Sequence, residues 1–213
     1  MTLRIIDALP PGYVLHGDMF SDENAMPGWK WLLIGNLLAL VPLGAAVLIV
    51  WLPYQFYAAL GAPLAIVRDP GWSPPLLIGC AVVVIALSMA AHELIHAAAL
   101  ALMGHRPRLN IAYGYLFATI RPGDFLTRRQ YVIMSRAPLI VLTLAGIMLA
   151  VLLPPSLGQI VVITVLLNAA ASVGDLAVSR RALRYPADTL FADERGIKIY
   201  VRQAANQHQP IGR

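Results

Sequence analysis

The sequence predicts an all-α membrane protein with about four transmembrane helices, and three observations lead to that fold class. Hydrophobic residues make up 59% of the 213 residues and charged residues only 13%, a balance that is rare in soluble domains. The hydrophobic residues stand in runs of about twenty or more, which is the length needed to cross a bilayer. Nine of the eleven acidic residues lie outside those runs.

Four apolar runs are the predicted transmembrane helices, and they cover residues 29–53, 75–103, 131–153 and 157–178. Tryptophans near both ends of the first run suit the membrane–water interface. The third run stops at Pro154-Pro155, because proline cannot continue the hydrogen bonding of a helix. Residues 54–72 are only partly apolar and contain Gly61, Pro63 and Pro70, so a loop and a short re-entrant segment both remain open.

The segments outside these runs are polar. Residues 1–28 form a predicted cytoplasmic segment that lacks the basic start and apolar core of a cleavable signal. Residues 104–130 alternate in part between positions 109 and 119, which predicts a short cytoplasmic hairpin bending near Gly114. The polar tail, residues 181–213, has one candidate strand at 197–201. The predicted division is therefore an N-terminal segment, a four-span domain over residues 29–180, and a cytoplasmic tail.

Basic residues are concentrated on one side of the predicted spans. The 104–130 segment holds five arginines and residues 180–213 hold seven basic residues, whereas the loop between the first two spans has Arg68 alone. Because positively charged loops stay in the cytoplasm, both termini are predicted to be cytoplasmic, in a multi-pass protein of the inner cell membrane. The same rule accounts for the net charge of +5, so no nucleic-acid partner is expected.

Residues 92–96 read His-Glu-Leu-Ile-His inside the second predicted span. Histidines four residues apart lie on one face of a helix, close enough to hold one metal ion. A glutamate beside the first histidine is the usual base for water activated by such an ion. The single cysteine, Cys80, excludes a disulfide and a paired-cysteine metal site. His92 and His96 are therefore candidate ligands of one zinc ion per chain, and Glu93 is the candidate catalytic base.

Asp175 is the preferred third ligand. A catalytic zinc ion takes three protein ligands and leaves one position open for water. Glu93 and Asp175 are the two acids inside the predicted spans, and ionisable groups at membrane depth usually serve a function. The alternatives lie on roughly the opposite helix face or in polar tails and loops: His105, His16, His208 and Asp124.

A polar stripe runs along the otherwise apolar fourth span. Its members recur every three or four residues: Thr164, Asn168, Ser172, Asp175 and Ser179. Asn168 and Ser172 are candidates for contacting the substrate or for orienting the ligands. The alternative for the hydroxyl groups is a hydrogen bond to a carbonyl of their own helix, which we expect for Thr164 and Ser179 and leave open for Ser172.

A His-Glu-x-x-His span, an intervening span and an aspartate on the next span resemble the core of site-2-protease-like intramembrane metalloproteases. The chain is also similar to a small bacterial family of multi-pass membrane proteins described as "putative zincin peptidases", which share a downstream Gly-Asp, here Gly174-Asp175. The resemblance covers about residues 75–180 and implies His92, His96 and Asp175 as zinc ligands and Glu93 as the base. Where site-2 proteases have Asn-Pro, this chain has Asn168-Ala169.

The motif, the membrane setting and the resemblance predict a zinc-dependent membrane metalloendopeptidase that cleaves membrane or membrane-proximal substrates. Its expected partners are a peptide or membrane-protein substrate and the lipid bilayer. Residues 109–119 would pair with an extended substrate as an added strand, or else form an amphipathic loop on the lipid headgroups. Two other classes compete: a metal-binding escort without turnover, which Glu93 disfavours, and a small transporter, which the sparse polar residues of the first and third spans disfavour.

Overall fold

The computed structural model describes residues 6–19, 28–59, 61, 73–112, 115–153, 155–193 and 196–203. The helices in this part of the chain are α1 (Gly28–Ala59), α2 (Pro74–Leu102), α3 (Arg128–Leu152), α4 (Pro155–Ala171) and α5 (Val173–Ala182). The strands are β1 (Tyr13–Asp18), β2 (Arg108–Ala112), β3 (Tyr115–Thr119), β4 (Leu126–Thr127), β5 (Leu190–Asp193) and β6 (Ile197–Arg202).

Two helices in the described part of the chain, over Ile78–Leu102 and Arg128–Leu152, are long and apolar enough to cross a membrane. Helices α4 and α5 are long and apolar enough only when they are taken together, and their axes are bent by 41° where they meet. They add a third span if the bent pair crosses the membrane as one segment. Within α1, a shorter apolar stretch covers Asn36–Ile49. These helices indicate a membrane protein with two or three of the four predicted spans.

Two helices, α1 and α3, extend beyond the apolar runs from which the spans were predicted. α1 continues past the predicted end at residue 53 to Ala59, and residues 60 and 62–72, where a re-entrant segment was left open, lie outside the described residues. α3 begins three residues before its apolar run. Thr127 Oγ1 accepts from the Gln130 backbone N–H, and the Thr127 N–H donates to Gln130 Oε1. This reciprocal cap starts the helix, whatever the hydropathy of its first turn.

The protein is helix-rich but not all-α, because the described residues also form two antiparallel sheets. β2 pairs with β3 from Arg108↔Thr119 to Ala112↔Tyr115, which confirms the predicted hairpin, while the bend expected near residue 114 lies outside the described residues. The second sheet has the order β1-β6-β5-β4 and joins the N-terminal segment, the start of α3 and the C-terminal tail. Of its strands, β6 alone was expected. β1 and β4 pair with segments distant in sequence, and β4 and β5 have only two and four residues, so local alternation does not indicate these strands.

The four-stranded sheet packs against the ends of α2, α3 and α5. The side chains at this contact form the main described core: Met19, Leu100, Met103, Ile120, Leu126, Tyr131, Ala182, Phe191 and Ile199. The rings of Tyr131 and Phe191 stack with their centroids 4.8 Å apart. This core holds the C-terminal end of α2, which lies within two turns of His96, in a set position relative to α3 and α5.

Gly146 lies buried where α3 meets α4, and a Cβ atom added there would collide with a methyl group of Val165. Val165 is itself buried with Ala46 and Ala169, and a β-branched side chain has few rotamers with which to move away. We therefore expect Gly146→Ala to destabilise the detergent-purified protein by about 1–3 kcal/mol in thermal unfolding.

Gly79→Ala is the matched control for this substitution. Gly79 also lies inside a helix, α2, but a Cβ atom added there meets nothing within 4 Å. Alanine favours a helix over glycine, so this control should unfold at or slightly above the wild-type temperature. Equal unfolding temperatures for the two variants would contradict the close approach of α4 to Gly146.

Candidate metal centre

The structure brings His92, His96 and Asp175 together at one point. Both histidines lie on α2, and Asp175 lies in the first turn of α5. Oδ2 of Asp175 is 3.0 Å from Nε2 of His92 and 3.3 Å from Nε2 of His96. The two Nε2 atoms are 3.2 Å apart. Both histidines are buried, and the Asp175 side chain is 22% exposed, so the cluster has one partly open side.

Asp175 reaches this point because the predicted fourth span is two helices rather than one. α4 ends at Ala171, α5 begins at Val173, and the bend falls at Ser172. The Ser172 hydroxyl donates to the Asn168 carbonyl one turn back, at 2.8 Å. A serine side chain that donates to the carbonyl four residues earlier competes with the backbone hydrogen bond to that carbonyl and often bends the helix. The predicted span over 157–178 is therefore a pair of helices with a 41° bend between them rather than one straight helix. The described hydrogen bond of the Ser172 side chain goes to the backbone of its own helical segment.

The two other hydroxyl groups of the polar stripe, those of Thr164 and Ser179, make different kinds of contact. Thr164 donates to the Ile160 carbonyl at 2.9 Å, as predicted. Ser179 accepts from Nε of Arg136 on α3 at 2.8 Å, and its own O–H remains able to make the expected bond to a carbonyl of its helix. This contact ties α5 to α3 one turn after Asp175.

Asn168 lies beside the cluster rather than in it, and it determines the tautomer of His92. The amide nitrogen of Asn168 donates to the Pro138 carbonyl at 3.1 Å, which leaves the amide oxygen 2.8 Å from Nδ1 of His92. Because that oxygen can only accept, Nδ1 of His92 carries the proton. Nδ1 of His96 lies 3.0 Å from the Met134 carbonyl, and the same reasoning gives it a proton.

Both rings therefore direct Nε2 at the same carboxylate oxygen, and in its neutral form each ring offers an Nε2 lone pair there. Two Nε2 atoms and a carboxylate oxygen at 3.0–3.3 Å need a positive charge among them, either a proton on one Nε2 or a metal ion. Zinc bonds of about 2.0–2.1 Å in tetrahedral geometry place ligand atoms about 3.3 Å apart. The donor set of two imidazole nitrogens and one carboxylate oxygen, and its spacing, thus fit zinc.

Glu93 is adjacent to the cluster and is held from a different element. Ligand atoms of His92, Glu93 and His96 all lie within 4.8 Å of one another. Oε2 of Glu93 accepts the backbone N–H of Ala118 on β3 at 3.0 Å. By distance alone Glu93 competes with Asp175 as third ligand, but Asp175 is within 3.3 Å of both ring nitrogens and Glu93 already has a backbone donor. Asp175 therefore completes a triangle with the two Nε2 atoms, which we call the ligand triangle because its atoms are the candidate zinc ligands, and Glu93 lies at the edge of that triangle.

The alternative third ligands lie elsewhere. His16 is exposed on β1, where its ring meets Tyr185 edge to face, and residue 208 lies outside the described residues. His105 follows the C-terminal turn of α2 and is 3% exposed. Its Nδ1 lies 3.9 Å from Asp124 Oδ2. His105 and Asp124 therefore form a separate polar pair between α2 and the start of α3.

His105 provides a test of pH-dependent stability. Burial lowers the pKa of His105 below its ordinary value of about 6.5, because the charged ring loses hydration, although Asp124 partly offsets this. The unfolded chain takes up the proton first as the pH falls, so stability is fully present above about pH 6.5 and decreases below it. We expect the free energy of unfolding to fall by at most about 1.4 kcal/mol per pH unit there.

The matched variant is His105→Gln, which has no titrating ring at this position. Thermal unfolding at a series of pH values between 8 and 5 should show a smaller loss of stability on acidification for this variant than for the wild type. Parallel curves for the two proteins would show that His105 does not carry the effect.

The sequence did not indicate two backbone groups in this region, the Met134 carbonyl and the Ala118 N–H. Backbone atoms leave no signature of residue type, and both belong to segments distant in sequence from the motif. The one available signal for the first is Pro138, a proline inside an apolar helix. Proline removes a backbone donor and therefore frees an acceptor one turn earlier.

Comparison with known proteins gives one match. Residues 85–190 match the model of a family described as "Putative zincin peptidase". No curated protein and no solved structure matches the chain. The matched segment is just under half of the chain, and it contains His92, Glu93, His96, Asn168 and Asp175. Over residues 85–190 the chain is therefore similar to a zincin-like family, and the cluster of His92, His96 and Asp175 lies within that segment.

Proposed function

We propose that the protein is a membrane-embedded zinc metallopeptidase that hydrolyses peptide bonds of membrane or membrane-proximal substrates. The observation that carries the proposal is the convergence of three lone pairs, from His92, His96 and Asp175, on one point beside a glutamate. The Nδ1–H groups of both histidines are directed away from the cluster, to Asn168 and Met134, so both Nε2 atoms are left available to a metal ion. The family match supports the same chemistry.

His92, His96 and Asp175 would hold the zinc ion. When bound, zinc supplies Lewis acidity, which lowers the pKa of a nearby water to about 7 and polarises a carbonyl group. The partly open side of the cluster, at Asp175, is the side from which water and substrate would enter. The order of the ligands along the chain is the one that the resemblance to site-2-protease-like enzymes implies.

Glu93 would act as the general base. One of its oxygens is held by the Ala118 N–H, and a carboxylate so oriented takes a proton from water and returns it to the leaving amine. β3 therefore contributes to the site through its backbone.

The substrate would lie extended beside the hairpin, because a helical segment hides its carbonyl groups in its own hydrogen bonds. The Leu109↔Ala118 pair directs the Ala118 N–H away from β2, toward Glu93, so the outer edge of β3 faces the motif helix. A cavity of about 710 Å³ opens on the hairpin face that carries Phe117 and Thr119. Arg108 and Lys198 make part of its lining basic, and Asp193, whose pKa burial raises, lies among them.

In the topology that we propose, the protein crosses the inner cell membrane four times and both of its termini lie in the cytoplasm. This topology is supported by the apolar helices and by the concentration of basic residues after α2 and after α5. The four-stranded sheet would then lie at the cytoplasmic surface, where it packs against the ends of α2, α3 and α5.

The test is metal content and hydrolysis measured on one preparation. The detergent-purified protein should contain about one zinc per chain and cleave a fluorescently labelled unstructured polypeptide such as casein. A chelator should abolish the cleavage and added zinc should restore it. A folded protein that takes up no zinc when zinc is supplied would overturn the proposal. Bound zinc without hydrolysis of soluble or membrane-inserted peptides would favour the escort class instead.

A further inference from the structure

We propose that Pro138 is a positioning residue that orients both candidate zinc-binding histidines from the neighbouring helix α3. The inference rests on the zinc site proposed above and adds how its ligands are held. Pro138 is buried inside α3, four residues after Met134. Two hydrogen bonds, one to the carbonyl of Met134 and one to that of Pro138 itself, connect this point to His96 and His92.

The connection to His96 follows from the proton that proline lacks. In an α-helix the N–H of residue 138 would donate to the carbonyl of Met134. Proline has no N–H, and its ring crowds the carbonyl four residues earlier. The Met134 carbonyl therefore receives no hydrogen bond from residue 138 and is pushed away from the helix axis direction that such a bond requires. That carbonyl accepts Nδ1–H of His96 at 3.0 Å. A helix with any other residue at 138 would offer a competing donor for the same oxygen.

The connection to His92 passes through Asn168 on α4. The Pro138 carbonyl accepts the Asn168 amide nitrogen at 3.1 Å, and the Asn168 oxygen then accepts Nδ1–H of His92 at 2.8 Å. A carbonyl has two lone pairs, so this bond does not require the loss of a helical one. Asn168 is 1% exposed, and its amide therefore has little freedom to turn.

Both connections direct Nδ1–H outward and leave Nε2 for the metal. Acceptors that hold a ligand histidine in this way typically contribute about 10–100-fold to metal affinity. Pro138 would thus support the geometry of the site without touching metal or substrate. α3 supplies both acceptors within about one turn, but only the contact with His96 depends on the missing N–H of proline, because any residue at 138 has the carbonyl that Asn168 binds.

Pro138→Ala tests the His96 connection, because it restores the N–H at position 138 and keeps the carbonyl. We expect zinc affinity, measured by competition with a chromogenic chelator, to fall about 10–100-fold. The visible absorption of the Co²⁺-loaded protein should change as well, because it reports the ligand geometry. Pro42→Ala is the matched control. Pro42 also lies inside a helix, α1, which takes no part in the described contacts of the two histidines.

A second background separates orientation of His96 from a general effect on the fold. In His96→Cys the ligand atom is a thiolate with no Nδ1–H to orient, so adding Pro138→Ala should change zinc affinity by less than about twofold. An equal loss in both backgrounds, or unchanged zinc affinity in Pro138→Ala alone, would overturn the role of Pro138. A wild type that binds no zinc would overturn the zinc site itself, which keeps the two failures distinct.

Discussion

Glu93→Gln is expected to abolish peptide hydrolysis while leaving about one zinc bound per chain. The amide oxygen of glutamine still accepts the Ala118 N–H that holds Oε2 of Glu93, so the local geometry is preserved. What is lost is the basic carboxylate, since an amide does not take a proton from water. General acid–base catalysis contributes about 10²–10⁴-fold, so the rate should fall at least that far.

The measurement is the rate of casein cleavage at saturating zinc, with zinc content determined on the same sample. Asp188→Asn is the control for removing one negative charge, because Asp188 is exposed in the loop before β5. Its activity should match the wild type. Full activity in Glu93→Gln would show that Glu93 is not the base. Loss of zinc in that variant would instead place Glu93 among the ligands, in keeping with its distance of at most 4.8 Å from the ring nitrogens.

Asp175→Ala is expected to remove zinc from the protein without unfolding it. The Asp175 carboxylate supplies the only negative charge in the ligand triangle, and without it two neutral imidazoles remain. Removing a ligand should weaken binding by more than the roughly 10–100-fold lost when an orienting contact is removed. Hydrolysis should fall with the metal. Asp175→Asn should show an intermediate loss of affinity, because its amide oxygen remains available to a cation.

The measurement is zinc affinity by chelator competition, together with the unfolding temperature in detergent. Ser179→Ala is the matched control. Ser179 lies one turn further along α5 and binds Arg136, so this variant disturbs the packing of α5 on α3 but removes no ligand. Its zinc affinity should stay near the wild-type value. If Asp175→Ala bound zinc as tightly as the wild type, Asp175 would not be a ligand, and Glu93 would be the next candidate by distance.

The membrane class and the candidate motif were accessible from the sequence because both depend on local properties. A hydrophobic run is recognised from the residue types of one continuous segment, without knowledge of the rest of the fold. Two histidines four residues apart share a face in any α-helix. The hairpin was accessible for the same reason, since its strands are adjacent in sequence and alternate. The start of α3 could also have been found locally, from Thr127 and Gln130, had the cap been weighed against hydropathy.

The four-stranded sheet was not accessible, and its absence from the prediction made the fold class too simple. β1 pairs with β6 from the other end of the chain, and β4 has only two residues. Strands of this kind are selected by the partner that completes their hydrogen bonds and by the core that they cover. Phe191, fully buried against Tyr131, shows that the tail belongs to a core that no local pattern describes.

The sequence by itself determined that this is a membrane protein with a His-Glu-Leu-Ile-His helix and one further acid, Asp175, in an apolar segment, because composition and helical periodicity are properties of the chain alone. The tertiary structure decided that Asp175 meets both Nε2 atoms, through a bend at Ser172 that a single straight span would not have. It also decided which way each ring is turned. Those directions are determined by Asn168, the carbonyl of Met134 and the proline beside it, and contacts between distant segments form only when the helices pack.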